Sequence, residues 1–397
     1  MTTAPTIRWL WLLPEARQAL ETREPAVILR CYRKLTGLSQ AAMGELLGYD
    51  PSYVSLLERR QRTINDRQGL SHVSRVLAIP PHSLGITAEE DSDFLAALQF
   101  GESTVRLAKI ARQAGRAVEA VEELWPLVAR LEARLREGRV DHGTASLPAR
   151  ARATLGTSLG HVLTEEQLYL AASWTGRAMR PARYLDDGAF LGHVLRMHGN
   201  ELRKAGRGGA AITRLTEAAE LSQDDKERGQ TLILLARAAG EQGNAGLLDD
   251  CVIAAERLMD TAGPSGILFT PFSLREVRMR GLMGTGRAAM AAELAQSRPG
   301  SGEAPAPQWA TIEAVTSADT LSAAGDLSSA HTLYSEALSL ALRHRLPHQI
   351  QRVIRSTGAV GLEEIRADAL ARLHDLGQHW TLAAPPPQHT TEVKGTE

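Results

Sequence analysis

Side chains that can contact phosphate and base edges cluster between residues 39 and 62. They are, with one proline among them, Ser39, Gln40, Pro51, Ser52, Tyr53, Ser55, Arg59, Arg60 and Arg62. Guanidinium, amide and hydroxyl groups are the usual partners of phosphate oxygens and of bases in a groove. Residues 25–87 hold eight Lys/Arg and four Asp/Glu, so this region carries +4 while the whole chain carries −1. A basic region on an acidic remainder indicates a face that meets phosphate.

Two short helices joined by a tight turn would position these side chains. Ser39 is a good N-cap for a helix from Gln40 to Leu47, which Gly48 can end in a left-handed conformation. Asp50 is a second N-cap, and Pro51 stands in the first turn of the next helix, where proline is best tolerated. The spacing predicts a helix-turn-helix.

The region from about residue 25 to residue 86 resembles a known family. The residues that carry the resemblance are Leu38, Ser39, Gln40, Met43, Gly44, Leu47, Gly48, Val54, Ser55, Leu57, Glu58 and Arg59. In this pattern the region is similar to the XRE-type, or lambda-repressor-like, DNA-binding domain. The family usually has alanine at the position of Gly44, and long polar base readers where this chain has Pro51, Ser52 and Tyr53.

The resemblance implies roles for individual residues. Arg33 on the preceding helix would pair with Glu58 at the end of the recognition helix, and Gln40 would contact phosphate. Arg59, Arg60 and Arg62 flank the helix ends and are expected to contact phosphate too. Ser52, Tyr53 and Ser55 lie on the face opposite Val54 and Leu57, so we expect them near bases in the major groove.

The sequence divides into five parts. Residues 1–24 form an N-terminal arm with Trp9 and Trp11, either packed on the molecule's own helices or in a dimer contact. A five-helix module follows at 25–87, then an acidic linker at 88–93. A helical domain spans 94–382, with a Pro/Gly-rich loop at 297–307, and 383–397 is a disordered tail.

Helices recur in the long domain with a glycine turn signature. Gly206 and Gly243 are 37 residues apart, and Gly115 and Gly325 lie about two units before and after them. After each turn come further positions at fixed spacing, which are Ala211, Leu215 and Ala218; Leu248, Val252 and Ala255; and Ala330, Tyr334 and Ala337. The pattern resembles degenerate tetratricopeptide repeats, and intermediate turns are expected near Gly160 and Gly284–Gly286.

Enzyme and metal chemistry have little support in this sequence. Twelve histidines are scattered, and the pair His344 and His348 has Pro347 between its members and no acidic partner at a ligand spacing. No phosphate-cradling GxxxxGK[ST] motif occurs. Cys31 and Cys251 fit a reducing cytoplasm, and the hydrophobic N-terminal segment is too short to span a membrane. We therefore expect no enzyme activity, cofactor or metal, and a cytoplasmic protein.

These observations predict an all-α protein, with a five-helix lambda-repressor-like module followed by an α-solenoid of degenerate tetratricopeptide-like helix pairs. The expected function is sequence-specific transcriptional regulation on double-stranded DNA, as a homodimer on a palindromic operator. The combination resembles the peptide-sensing regulators of Gram-positive bacteria and the actinobacterial regulators of development. The repeats would dimerise, sense a peptide or small-molecule effector, or do both. The alternative is an adaptor or antitoxin-like protein whose repeats bind a protein partner.

Overall fold

The regular elements in the described part of the chain are all helices. The computed structural model describes residues 10–86, 89–136, 141–296 and 306–379, and within them no strand of a sheet is formed. Two units follow each other, an N-terminal head and a long repeat body. The predicted fold class, all-α with a helical repeat domain, is confirmed.

The head contains five α-helices and two short 3-10 helices. The α-helices are α1 Pro14–Glu21, α2 Pro25–Thr36, α3 Gln40–Leu47, α4 Pro51–Glu58 and α5 Arg67–Val76, and the 3-10 helices are Leu10–Leu12 and Pro81–Leu84. Side-chain caps set three of the helix starts, because each accepts a backbone N–H of the first turn. Ser39 accepts from Ala42 at 3.1 Å, and Asp50 accepts from Ser52 at 2.8 Å. Asp66 caps α5 through the N–H of Gly69 at 2.6 Å.

The predicted arm contributes to the core of the head. Trp11 is 2% exposed, stacks on Tyr32 at 5.9 Å between ring centroids, and donates its indole N–H to the carbonyl of Leu77 at 3.2 Å. Ala16 and Leu20 of α1 are buried in the same core. The expected boundary at residue 25 therefore does not separate two packed units, because a tryptophan buries too much apolar area to remain in water. Trp9 lies outside the described residues.

The body consists of seven consecutive antiparallel helix pairs in the described ranges. They are α6 Glu89–Gln113 with α7 Ala117–Arg136, α8 His142–Val162 with α9 Leu168–Tyr184, α10 Gly188–Lys204 with α11 Gly208–Glu220, α12 Asp225–Glu241 with α13 Ala245–Ala262, α14 Pro271–Gly284 with α15 Ala288–Gln296, α16 Pro307–Ala323 with α17 Leu327–Arg343, and α18 Pro347–Ala359 with α19 Glu363–His379. A single pair cannot bury its apolar face alone, so each stacks on its neighbours.

The repeat positions found in the sequence are core positions of the second helix of each pair. Ala211, Leu215 and Ala218 are at most 1% exposed, as are Ala330, Tyr334 and Ala337. Glycines with positive φ occupy six turns inside pairs, namely Gly115, Gly206, Gly243, Gly286, Gly325 and Gly361. The turn expected near Gly284–Gly286 is therefore present, and the turn at Gly361 was missed.

Two sequence-based expectations are wrong. Residues 89–93, assigned to a linker, belong to α6, because consecutive acidic residues suit a helix N-terminus, where the backbone N–H groups favour negative charge. Gly160 is inside α8 rather than in a turn; a Cβ there would lie 1.8 Å from a carboxylate oxygen of Glu201, so glycine permits close helix packing. The turn between α8 and α9 contains the 3-10 helix Glu165–Gln167. Residues 87–88 and 297–305 and the tail are outside the described ranges.

The head and the body contact each other at two places. Leu12, next to Trp11, is 1% exposed and packs with Ala145 and Ala149 of α8. The imidazole Nε2 of His82 is 2.6 Å from a carboxylate oxygen of Asp141, the N-cap of α8. Consecutive side chains of one short segment are thus buried in two different cores.

Candidate DNA-binding surface and central cavity

α3 and α4 cross closely at the turn that joins them. The N–H of Tyr49 donates to the carbonyl of Gly44 at 2.8 Å, and Gly48 adopts φ +68°. A Cβ on Gly44 would lie 2.6 Å from the carbonyl oxygen of Tyr49, which is backbone and cannot move aside easily. The glycine that departs from the family pattern is therefore required by this turn.

Glu58 at the end of α4 is bound by side chains from two other helices. Arg33 of α2 donates to its two carboxylate oxygens at 2.7 and 3.1 Å, and the amide of Gln40 donates at 2.8 Å. Arg30 donates to the backbone carbonyl of Glu58. Burial of Glu58 would raise its pKa, but the hydrogen bonds from Arg33 and Gln40 outweigh it, and the pKa is lowered. The two residues that the resemblance pairs are in contact.

The residues expected at the DNA differ in how much of each side chain is engaged within the head. Ser52 is exposed, but its hydroxyl donates to Asp50 at 2.5 Å, and the ring of Tyr53 packs edge-on against Tyr49 at 5.3 Å. Arg60 forms an ion pair with Glu24 at 2.5 Å. Ser39, Pro51, Arg59 and Arg62 are exposed, and Ser55 is half-buried.

A cavity of about 610 Å³ lies at the centre of the body. Its wall is built by the first helices of the pairs, with residues from α6, α8, α10, α12, α14, α16 and α18. Trp309, Ile312 and Leu268 supply part of an apolar wall. The volume is in the range of about 300–1,000 Å³ that small-molecule sites occupy.

Contacts between early and late helix pairs close the concave side of the repeat stack. The backbone N–H of Glu165 donates to the amide oxygen of Gln351 at 2.8 Å, and the amide nitrogen of Gln351 donates to Glu166 at 2.9 Å. Arg355 pairs with Glu165. A Cβ on Gly115 would lie 2.6 Å from the ring of His344, so the first pair also touches the end of α17. The stack of seven pairs therefore curves into a ring around the cavity, joined between its second and seventh pairs.

Positive charge dominates the cavity wall. Nine Lys/Arg line it, against the two carboxylates of Glu165 and Glu241. Five of the nine have carboxylate partners, which are Arg203 and Arg280 on Glu241, Lys204 on Glu201, Arg352 on Asp319, and Arg355 on Glu165. Glu276 lies near Arg237, Arg280 and Arg352. Five of the nine cations are thus in ion pairs, and four are not.

Four cations of the wall form no ion pair with a carboxylate in the described part of the chain, namely Lys109, Arg112, Arg196 and Arg237. Carboxylates act on the three arginines only at longer range. The three arginines are 6–9% exposed, and the Nε of each has no hydrogen-bond partner among the described residues. Desolvation lowers the pKa of Arg112 to about 10 and that of Arg237 to about 9. Burying unpaired cations costs free energy, so such groups mark functional sites more often than structural ones.

Three histidines of the wall are held neutral. Desolvation, together with Arg196, Lys109 and Arg112, lowers the pKa of His193 to about 3. Desolvation and neighbouring cations also lower the pKa of His161 and His348 well below the ordinary value. His344 and His348, considered as a metal pair, lie on either side of the turn between α17 and α18.

Sequence reasoning missed the cavity and its charges. The available signal was the run of basic residues on the first helices of the pairs, at Lys109, Arg112, Arg196, Arg203 and Lys204. Among the described residues, no group of three His, Cys, Asp or Glu side chains could bind a metal ion. Within the same ranges, no helix combines the length and the apolar composition needed to cross a bilayer.

No protein-family model matches the chain, and no curated protein is similar to it in sequence. Among solved structures it is similar to Bacillus thuringiensis PlcR in complex with the peptide PapR7 and DNA, at 11% identity and a TM-score of 0.39, covering 78% of this chain and 99% of PlcR. A Rap protein complexed with competence and sporulation factor gives 11% identity and a TM-score of 0.45, covering 70% and 77%. A circular tandem repeat protein gives 15% identity and a TM-score of 0.22, covering 94% of this chain and 95% of the repeat protein. At these values nothing about the ligand or partner of this chain follows from the similarity.

Proposed function

We propose that this protein is a sequence-specific DNA-binding transcriptional regulator of the cytoplasm, with an XRE-type head and a repeat body that holds an effector. The single observation that carries the proposal is the capped α3–turn–α4 unit, fixed by Arg33 and Gln40 on Glu58. This unit leaves Pro51 and Ser52 at the start of α4 exposed on a basic module. A helix of this kind enters the major groove with its N-terminal residues at the bases.

Phosphate contacts on this proposal come first from Arg59 and Arg62, which are exposed at the end of α4. Arg60 and Gln40 are weaker candidates, because Glu24 and Glu58 already bind them. Ser39 and Ser55 can donate hydroxyl hydrogen bonds at the edges of the groove. Base reading would then rest on Ser52 and Tyr53, because α4 carries few long polar side chains.

The proposal includes a homodimer on a palindromic operator, because one small head binds too weakly to select a single genomic site. A candidate for the interface is an exposed apolar stripe on α6. Phe100, Leu107 and Ile110 are 65%, 61% and 53% exposed and share one side of the helix. A second copy of this chain would cover the stripe and hold two heads at a fixed separation.

The body is proposed to sense a peptide or a small molecule in its central cavity. The closed ring and the unpaired cations support a ligand-holding role more than a purely structural one. The alternative function, an adaptor or antitoxin-like protein, is favoured by the same stripe on α6, which would then bind a different protein.

DNA footprinting with the full chain on the DNA upstream of its own gene tests the proposal. We expect a protected region with two-fold symmetry and half-sites about one helical turn apart. The matched variant is Ser52→Arg, which changes an exposed residue of α4 and should lose the footprint while keeping the fold. Equal protection of unrelated DNA by both proteins would reject sequence-specific regulation and favour the adaptor.

A further inference from the structure

The cavity contains a cluster of cations around His193 that the ion pairs of the body do not neutralise. Arg112 of α6 and Arg196 of α10 are buried, and Lys109 stands one helical turn before Arg112. Arg196 donates through Nη2 to His193 at 3.1 Å and through Nη1 to the backbone carbonyl of Glu227 at 3.4 Å. Nη1 of Arg112 is 3.5 Å from the ring of His161. The hydrogen-bond partners that orient both guanidinium groups are therefore neutral. Glu201 near Arg112, and Glu227 and Asp224 near Arg196, act on them only from beyond ion-pair distance.

The cavity wall also carries apolar side chains. Trp309 and Ile312 of α16 and Leu268 lie on the wall, and the guanidinium of Arg237 stacks on Trp309 at 5.4 Å from the ring centroid. A ligand with one charged end and one apolar end would match both regions. An ionised carboxylate or phosphate is the group that guanidinium pairs bind best, since each can receive two parallel hydrogen bonds.

We propose that the cavity binds a small organic anion, with a phosphate or carboxylate group at Lys109, Arg112 and Arg196 and an apolar part against Trp309. This inference deepens the proposed sensing function. Only the role of the ligand in regulation rests on that function, because binding of the anion can be measured without DNA. A long peptide is disfavoured: the contacts of Gln351 and Arg355 with the Glu165–Gln167 turn close the groove along which it would lie.

Calorimetric titration and thermal unfolding of the full chain test the assignment. The probes are phenyl phosphate and phenylacetate as amphipathic anions, inorganic phosphate as an anion alone, and benzyl alcohol and benzyltrimethylammonium as neutral and cationic analogues. We expect saturable binding of one amphipathic anion per chain, a rise in melting temperature, and weaker or no effect from the other three. Whichever of phenyl phosphate and phenylacetate binds with the higher affinity identifies the preferred charged group, phosphate or carboxylate.

The variants Arg112→Met and Arg196→Met separate binding from structure. Each should weaken anion binding by about tenfold or more, since a charged hydrogen bond is lost. Without ligand, the melting temperature of Arg112→Met should stay the same or rise, because a buried cation without an ion pair is replaced by an apolar chain of similar length. That of Arg196→Met should fall slightly, because His193 and the carbonyl of Glu227 each lose a hydrogen-bond donor. Arg278→Met is the control, since Arg278 is an exposed arginine paired with Glu256.

Four results would overturn the proposal. They are no binding of either amphipathic anion, equal binding of benzyl alcohol, undiminished binding by both variants, and a larger thermal shift with tetra-aspartate than with phenyl phosphate. The last would reassign the cavity to acidic peptides. Footprinting of the same preparations shows independently whether DNA binding persists, so failure of the ligand assignment is distinguishable from failure of the regulator assignment.

Discussion

The backbone N–H of Glu165 donates to the side-chain oxygen of Gln351 at 2.8 Å, although the two residues are 186 positions apart. This bond joins the turn of the second helix pair to the first helix of the seventh. The repeat stack is thereby a ring with a seam, and the seam stands beside the cavity.

The seam should open when Gln351 is replaced. In Gln351→Ala three hydrogen bonds to the turn are lost, one from Glu165 and two to the carboxylate of Glu166, and each is worth about 1 kcal/mol. We expect faster hydrogen exchange in residues 165–168 and 347–352 and a lower melting temperature of the body. Gln167→Ala, an exposed change in the same turn, is the control. Unchanged exchange at both segments in Gln351→Ala would contradict the closed ring.

The contacts at Glu58 should stabilise the head. Glu58→Gln leaves Arg33 poorly compensated, so the free energy of unfolding should fall by about 1–3 kcal/mol. Because the pKa of Glu58 is lowered in the folded state, its contribution is present above the ordinary carboxyl pKa and is lost as the pH falls through the folded value. Chemical denaturation measures the change. Glu21→Gln, in an exposed pair with Arg17, should change the stability far less, and an equal loss in both would rule out a special role for Glu58.

Phosphate and base contacts should separate in DNA-binding titrations. Arg59→Ala or Arg62→Ala should weaken binding to all sequences alike and lower the salt slope by about one unit each. Arg60→Ala should do less, because Glu24 already neutralises that side chain. Ser52→Ala and Tyr53→Ala should change the sequence preference instead. Arg183→Ala, an exposed arginine of the body, is the control; a uniform effect of all variants would refute this assignment.

The body should lose stability in mild acid because of His193. Its folded pKa is about 3, so below pH of about 6.5 the unfolded chain takes up a proton that the folded chain does not bind. The free energy of unfolding then falls by up to about 1.4 kcal/mol per pH unit until the pH approaches the folded pKa. His193→Asn should remove its own part of this dependence and leave the part from His161 and His348, whose pKa values are also lowered. His331→Asn, at an exposed position, should leave the dependence unchanged. Chemical denaturation at several pH values measures the free energy of unfolding of each variant and tests this prediction.

The stripe on α6 should hold the dimer together. Phe100→Asp combined with Leu107→Asp places two charges in the proposed interface, so sedimentation should show a monomer with weak operator binding. Leu370→Asp changes an exposed leucine elsewhere, 48% exposed, and should remain dimeric. A dimer that survives the double change would move the interface away from α6.

The head was predictable because its signals are local. Ser39, Asp50 and Asp66 cap helices through backbone groups two or three residues away, and Gly48 ends α3 where the sequence indicates. The repeat core was predictable for the same reason, since small and large residues recur at fixed distances after each glycine. The acidic segment at 89–93 was misassigned because acidic residues suit both a solvated linker and a helix N-terminus.

The cavity and its charge could not be predicted, because the charge depends on ion pairs between residues that are distant in sequence. Arg203 meets Glu241 across 38 positions, and Arg352 meets Asp319 across 33. Nothing local distinguishes these paired arginines from Arg112 or Arg196, which have no such partner. Only the folded ring shows which positive charges remain.

The neighbours Trp11 and Leu12 have a mechanical consequence. One side chain is buried in the core of the head and the next in the core of the body, so this segment holds the two units together. Packed interiors transmit displacement rather than absorb it. A small rotation of α8 therefore displaces α4 by a distance that grows with the separation of α4 from Trp11 and Leu12. In a dimer, the displacements of the two α4 helices add. On the proposed function, a slight change in the shape of the ring would move the two α4 helices away from the spacing that one turn of DNA requires.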